Sequence, residues 1–257
     1  MPDPIIKKIY FVSDAHLGSK LIKNAHEHEM KLVRWLDVIK NDAAELYLLG
    51  DIFDFWFEYK TVVPKGFTRF LGKLGELSDA GIKVHFFTGN HDIWTFGYLE
   101  QEIGLAVHRH PEVIEMGGKR FYLAHGDRLG DHSLGVKLIQ SIFHNHICQK
   151  LFSYIPPRLG MGFGLAWSKS NRVKSKRNVY TKYMGEDKEC LVRYAKSYPE
   201  AEHIDIFVFG HRHILLDLML KNNSRVCIIG DWFMQFTYGV FDGNDFCMEY
   251  FEDEIFE

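Results

Sequence analysis

The chain of 257 residues carries a formal net charge of -3, and 46% of its residues are hydrophobic against 25% charged. That length supports one large or two small domains with a sizeable core, and the near-balanced charge removes any general attraction to nucleic acid, so an anionic ligand needs a local reason to bind. Cys148, Cys190, Cys227 and Cys247 stand apart without CxxC spacing, which argues against a zinc knuckle or a disulfide framework, and no run approaches the roughly 20 apolar residues of a membrane span.

From the N-terminus, MPDPIIKKIYFVSDAHLG sets two lysines beside a short apolar run with no export-signal core or cleavage pattern, so a cytoplasmic location is expected. The run IYFVSDAH (Ile9 to His16) reads as a strand that ends in polar residues. Ala25 to Lys40 then shows helical periodicity, with Leu32, Val33, Leu36 and Ile39 on one face. LYLLGDIFD (Leu46 to Asp54) repeats the strand pattern, Phe67 to Ala80 repeats the helical one, and VHFFTGNHD (Val84 to Asp92) and FYLAHGD (Phe121 to Asp127) follow. This alternation predicts an α/β fold with its chemistry beyond the carboxyl ends of the strands.

After Asp127 the rhythm breaks. Val136, Ile139, Ile142, Phe143, Ile147 and Leu151 predict one amphipathic helix. It opens a mostly helical insertion expected over 131–199, inside a single domain that spans 1–257. The insertion carries SKSNRVKSKR (Ser168 to Arg177), with five basic residues in ten. IFVFGHRH (Ile206 to His213) restores the strand-end pattern, and runs at Leu215 to Leu220, Arg225 to Gly230, Phe236 to Phe241 and Phe246 to Phe251 predict closing antiparallel strands joined by NNS and DGND turns.

The five strand ends supply Asp14, His16, Asp51, Asn90, His125, His211 and His213. Singly, such residues read as caps, turns or core histidines. Jointly, carboxylate, amide oxygen and imidazole without thiolate suit two divalent ions such as manganese, iron or zinc. A shared carboxylate gives each ion four protein ligands and leaves positions for water and a substrate oxygen, the arrangement of phosphoryl hydrolysis. Asp54, Asp92 and Asp127 read either as partners that orient imidazoles or as loop acids. Gly230-Asp231-Trp232 imitates a strand-end motif but lacks a partner ligand, and reads as structural.

DAH, GDIFD, GNHD, HGD and GHRH, in that order, resemble the five motifs of the calcineurin-like metallophosphoesterase superfamily. The resemblance implies a four-layer α/β/β/α sandwich with a helical cap. It also implies one metal on Asp14, His16, Asp51 and His213, with Asp51 bridging to a second on Asn90, His125 and His211. His91, with Asp92, matches the catalytic position proposed to donate a proton or contact phosphate. Nearly the whole chain is similar to the UDP-2,3-diacylglucosamine diphosphatases of lipid A synthesis, manganese enzymes that release UMP and an acylated sugar 1-phosphate; many of these carry Arg where this chain has His91. That likeness implies an acylated UDP-sugar substrate and peripheral contact with the cytoplasmic face of the inner membrane. Lys169, Asn171, Arg172, Lys174 and Arg177, with Lys176, are the candidate substrate contacts, and Phe152, Tyr154, Ile155, Phe163, Leu165 and Trp167 the candidate acyl or bilayer contacts. The alternatives are a phosphoesterase acting on phosphoproteins or nucleotides, and a metal-stabilised binding protein without turnover.

Overall fold

The structure is a computed structural model that describes residues 7–130, 134–175 and 182–252. Its first sheet joins the parallel strands β1 (Lys8–Val12), β2 (Ala43–Leu49), β3 (Lys83–Phe87) and β4 (Ala106–His108). The second is built from β5 (Glu112–Met116), β6 (Lys119–Ala124), β7 (Ile206–Phe209), β8 (Leu215–Met219) and β9 (Arg225–Ile229), in the order β5-β6-β7-β9-β8. The hairpin of β10 (Thr237–Phe241) and β11 (Phe246–Tyr250) returns to the first sheet, antiparallel to β1, and completes the order β11-β10-β1-β2-β3-β4. The closing strands are thus two antiparallel pairs, one on each sheet. β9 also pairs with β7 in parallel.

Strand side chains alternate between faces, and here both faces are apolar because both are covered. Tyr10, Val12, Leu46, Leu48, Val84 and Phe86 pack with helices α1 (Ala25–Ile39) and α2 (Thr68–Asp79). Their neighbours Phe11, Tyr47, Leu49 and Phe87 meet Phe121, Leu123, Ile206, Val208, Cys227 and Ile229 of the second sheet. On that sheet's far side, Tyr122, Phe207, Phe209, Val226 and Ile228 pack on Leu191, Val192 and Ala195 of the helix Cys190–Ser197. The layers are α/β/β/α. Each fully buried Phe or Leu of the middle layer is worth about 1.5–3 kcal/mol.

The start of α1 is fixed by Asn24, whose side chain accepts from the Glu27 amide at 3.1 Å. Its apolar stripe is as expected, with Trp35 added. Between β3 and β4 lies α3 (Tyr98–Gln101). The single helix expected from Val136 to Leu151 is instead two, α4 (Leu134–His144) and α5 (His146–Ser153). Asn145 divides them, and its side chain accepts from the Ile147 and Cys148 amides at 2.9 and 3.1 Å. A longer helix, α6 (Pro157–Ser175), follows, with proline in the first turn, where its missing N–H costs nothing. The helix Cys190–Ser197 is α7. Although it falls inside the expected insertion, it forms the outer layer of the core.

Candidate metal centre

Every predicted ligand lies in the loop just past the carboxyl end of its strand: Asp14 and His16 after β1, Asp51 after β2, Asn90 after β3, His125 after β6, His211 and His213 after β7. The first four come from one sheet and the last three from the other. Among the described residues, eight non-glycine residues have positive φ, and five of them are predicted ligands: Asp14 (55°), His16 (47°), Asp51 (53°), His211 (66°) and His213 (49°). Such left-handed backbone costs about 1–3 kcal/mol per residue and persists where the surroundings over-determine it. Glycines make room for the turns. A Cβ on Gly89 would collide with Asp51 Oδ1, and one on Gly210 with Ser13 Oγ.

The Asp and His donor atoms, joined by His91, fall into three overlapping groups, each within 4.8 Å: Asp14, His16 and His213; His16, Asp51 and His91; Asp51, His125 and His211. His16 Nε2 stands 3.4 Å from His213 Nε2 and 3.6 Å from Asp14 Oδ1, and His213 Nε2 is 3.4 Å from that same oxygen. In the neighbouring group His125 Nε2 is 3.4 Å from Asp51 Oδ2. Donors about 2.0–2.2 Å from a common tetrahedral ion lie about 3.3–3.6 Å apart, so this spacing fits a cation between them. Asp14 Oδ1, Asn90 Oδ1 and His125 Nε2 are buried without a hydrogen-bond partner, a cost of several kcal/mol if uncompensated. The donors present fit two divalent ions with Asp51 between them.

Charge within the cluster is uneven. Burial raises Asp14. Burial also opposes ionisation of Asp51, yet His125 and then His91 outweigh it and hold this carboxyl well below its usual range. His125 is raised well above the imidazole range because Asp51 overcomes its burial, whereas burial and the nearby His125 lower His211. Without a cation, Asp51 and His125 thus form the ionised pair at the centre of the cluster.

Outer contacts fix several donors. Asp14 Oδ2 accepts from Ser13 Oγ at 2.5 Å and the His211 amide at 2.8 Å, which leaves Oδ1 to the cluster. Asp51 Oδ1 accepts from the His91 amide at 2.9 Å. His125 Nδ1 is 2.8 Å from the Leu49 carbonyl, and His16 Nδ1 lies 3.7 Å from Asp54 Oδ1. His213 Nδ1 is 3.2 Å from Asp231 Oδ2, while Asp231 Oδ1 accepts from the amides of Phe233, Met234 and Gln235. Asp231, read from the sequence as structural, thus orients a predicted ligand. Its signal was the apolar run RVCII ending in Gly-Asp, the same punctuation as GDIFD.

His91 Nδ1 is 2.8 Å from the Asp54 carbonyl, and its Nε2 lies 3.8 Å from Asp51 Oδ2 at the cluster edge. Asp92 is placed differently from a partner of His91. Its carboxylate accepts from the amides of Gly89, Asp51, Ile52 and Phe53, stapling the ends of β2 and β3 together. Burial and then the charge of Asp51 push it up to about 7 against these bonds. Burial also raises Asp127, to about 6.

Phe55, Phe57 and Trp94, from the loops that carry Asp51 and Asn90, form an aromatic floor for Phe143, Phe152, Met161 and Leu165 of the insertion. Gly164 lets α6 rest on the Phe55 ring, and Trp94 Nε1 donates to the Phe143 carbonyl at 2.9 Å. On or beside α4, α5 and α6, Leu138, Ile147, Leu151, Tyr154, Leu159 and Phe163 are exposed. Lys169 is exposed on α6. Asn171, Arg172 and Lys174 occupy its last turns, where only the backbone is described, and Lys176 and Arg177 lie outside the described residues. No helix among the described residues is long and apolar enough to cross a membrane.

The pattern that defines the calcineurin-like phosphoesterases matches residues 7–215. A UDP-2,3-diacylglucosamine hydrolase of Porphyromonas gingivalis (strain ATCC BAA-308 / W83) is 42% identical over 262 residues, covering 96% of this chain and 98% of that one. A relative of the same name from Neisseria meningitidis serogroup B is 26% identical, covering 88% and 90%. A crystal structure of a dimetal phosphatase from Danio rerio superposes with a TM-score of 0.45 at 13% identity, over 95% of this chain and 99% of that one. With the defining pattern running from β1 into β8, this chain belongs to the calcineurin-like phosphoesterase family of hydrolases.

Proposed function

We propose that this phosphoesterase hydrolyses the pyrophosphate of an acylated UDP-sugar, UDP-2,3-diacylglucosamine, to UMP and 2,3-diacylglucosamine 1-phosphate. One observation carries the reading: the polar donor cluster adjoins an aromatic floor on which an insertion stands with its own apolar side chains exposed. A phosphate-bearing head and an acyl-bearing tail need those two environments side by side. The name of the 42% identical relative points to the same substrate.

Asp14, His16, Asp51 and His213 would hold one divalent ion, and Asn90, His125 and His211, with Asp51 shared, the other. Manganese suits these oxygen and imidazole donors. When bound, such ions supply Lewis acidity to a phosphoryl oxygen and acidify water. The chain's own part is positional. Water adds across the P–O–P bond, its oxygen joining one phosphorus while the bond to the bridging oxygen breaks. His91, its Nδ1 occupied by the Asp54 carbonyl, keeps Nε2 to carry a proton to the leaving phosphate or to bind it. Lys169, Asn171, Arg172, Lys174 and Arg177 meet the substrate's anionic groups, and the exposed faces of α4, α5 and α6 take up acyl chains at the cytoplasmic surface of the inner membrane.

The test is UMP release by purified, manganese-loaded protein from the acylated UDP-sugar and from its deacylated form. A large preference for the acylated form is expected. Comparable rates with simple nucleotide esters and no gain from acyl chains would overturn the substrate while leaving the family intact.

A further inference from the structure

The arginine between the two histidines of GHRH is buried, and so is its partner. Arg212 Nε donates to Glu189 Oε1 at 2.7 Å and its terminal NH2 group to Glu189 Oε2 at 3.0 Å. Arg212 is 6% exposed and Glu189 fully buried. The pair ties the β7 exit loop to the residue just before α7, where the insertion returns to the core. A buried ion pair repays its desolvation poorly, and apolar residues of similar volume often stabilise equally well or better. Its presence therefore asks for a role other than stability.

The neighbouring imidazoles supply one. His125 and His213 each have a hydrogen-bonding group on Nδ1, and His16 has Asp54 nearby. Among the described residues no hydrogen bond reaches the His211 ring; only its backbone amide is held, by Asp14 Oδ2. Metal-binding histidines nearly always have the second nitrogen fixed by an outer partner. For His211, orientation must come through the backbone, which is left-handed at both His211 and His213 and is anchored between them by the Arg212 side chain.

We propose that the Glu189–Arg212 pair is the positioning element for His211, holding through the main chain a ligand that lacks a hydrogen bond of its own. This rests on the two-metal reading of the site and not on the identity of the substrate. Binding one guanidinium edge through two nitrogens matters because two parallel bonds fix a plane where a single ammonium contact fixes only a point.

The experiment is calorimetric titration of chelator-stripped protein with manganese, with a melting curve for each variant. The double variant Glu189→Leu/Arg212→Met removes both charges and leaves neither unpaired, so its melting temperature should stay within a few degrees of wild type. Its weaker manganese site should lose at least about tenfold in affinity, the scale of losing an outer partner. Arg212→Lys, which keeps charge without the fork, should show a smaller loss of the same kind and carries the test if the double variant fails to fold. Wild-type affinity in the folded variants overturns the proposal. A wild-type chain that takes up no manganese overturns the two-metal reading beneath it.

Discussion

Asp231 and the Leu49 carbonyl do the same work for His213 and His125, each holding an Nδ1 so that the opposite nitrogen faces the cluster. Asp231→Asn should weaken manganese binding about 10- to 100-fold, read by calorimetry, with little change in melting temperature because the amide oxygen can still accept from the three backbone amides. Gly210→Ala should act on both fold and site: its methyl would collide with Ser13 Oγ and press on Asp14 Oδ2. We expect about 1–3 kcal/mol lost in urea denaturation, together with phosphoesterase activity. At this scale the sequence was informative wherever an apolar run stopped at a histidine or aspartate with companions. It marked Asp231 and Asp92 but not their roles, because the histidine that Asp231 holds lies 18 residues back and the four partners of Asp92 are backbone amides that carry no letter of their own.

Between elements, apolar periodicity marked α1 and α2 nearly to the residue but ran straight through Asn145. The periodic pattern is indifferent to a side chain that turns back to cap the next helix, so α4 and α5 read as one. Asn145→Ala should cost about 1 kcal/mol, measured by thermal melting. His144, the last residue of α4, is pushed down to about 4 by burial and by the nearby charges of Arg128 and His110. The unfolded chain binds its proton below about 6.5, so the stability from keeping this ring neutral is present above that pH and is lost as the pH falls toward 4. His144→Gln should flatten this part of the stability curve between those pH values, measured as the urea midpoint against pH.

For the whole molecule, the layered α/β architecture was legible because the first three strands alternate with helical spacers. The division of those strands between two stacked sheets was not, since strand partners and sheet membership leave no local mark. Chelation should lower the melting temperature, and manganese at a hundredfold excess over its Kd should restore about 3 kcal/mol. Asp14, His16, Asp51 and Asn90 ride on one sheet and His125, His211 and His213 on the other. Stacked rings such as Phe11 on Phe121, 6.2 Å between centroids, therefore serve as a spacer gauge that sets the gap between the two sets of proposed metal ligands. Trimming a ring deep in that filling could spoil turnover with every donor chemically intact.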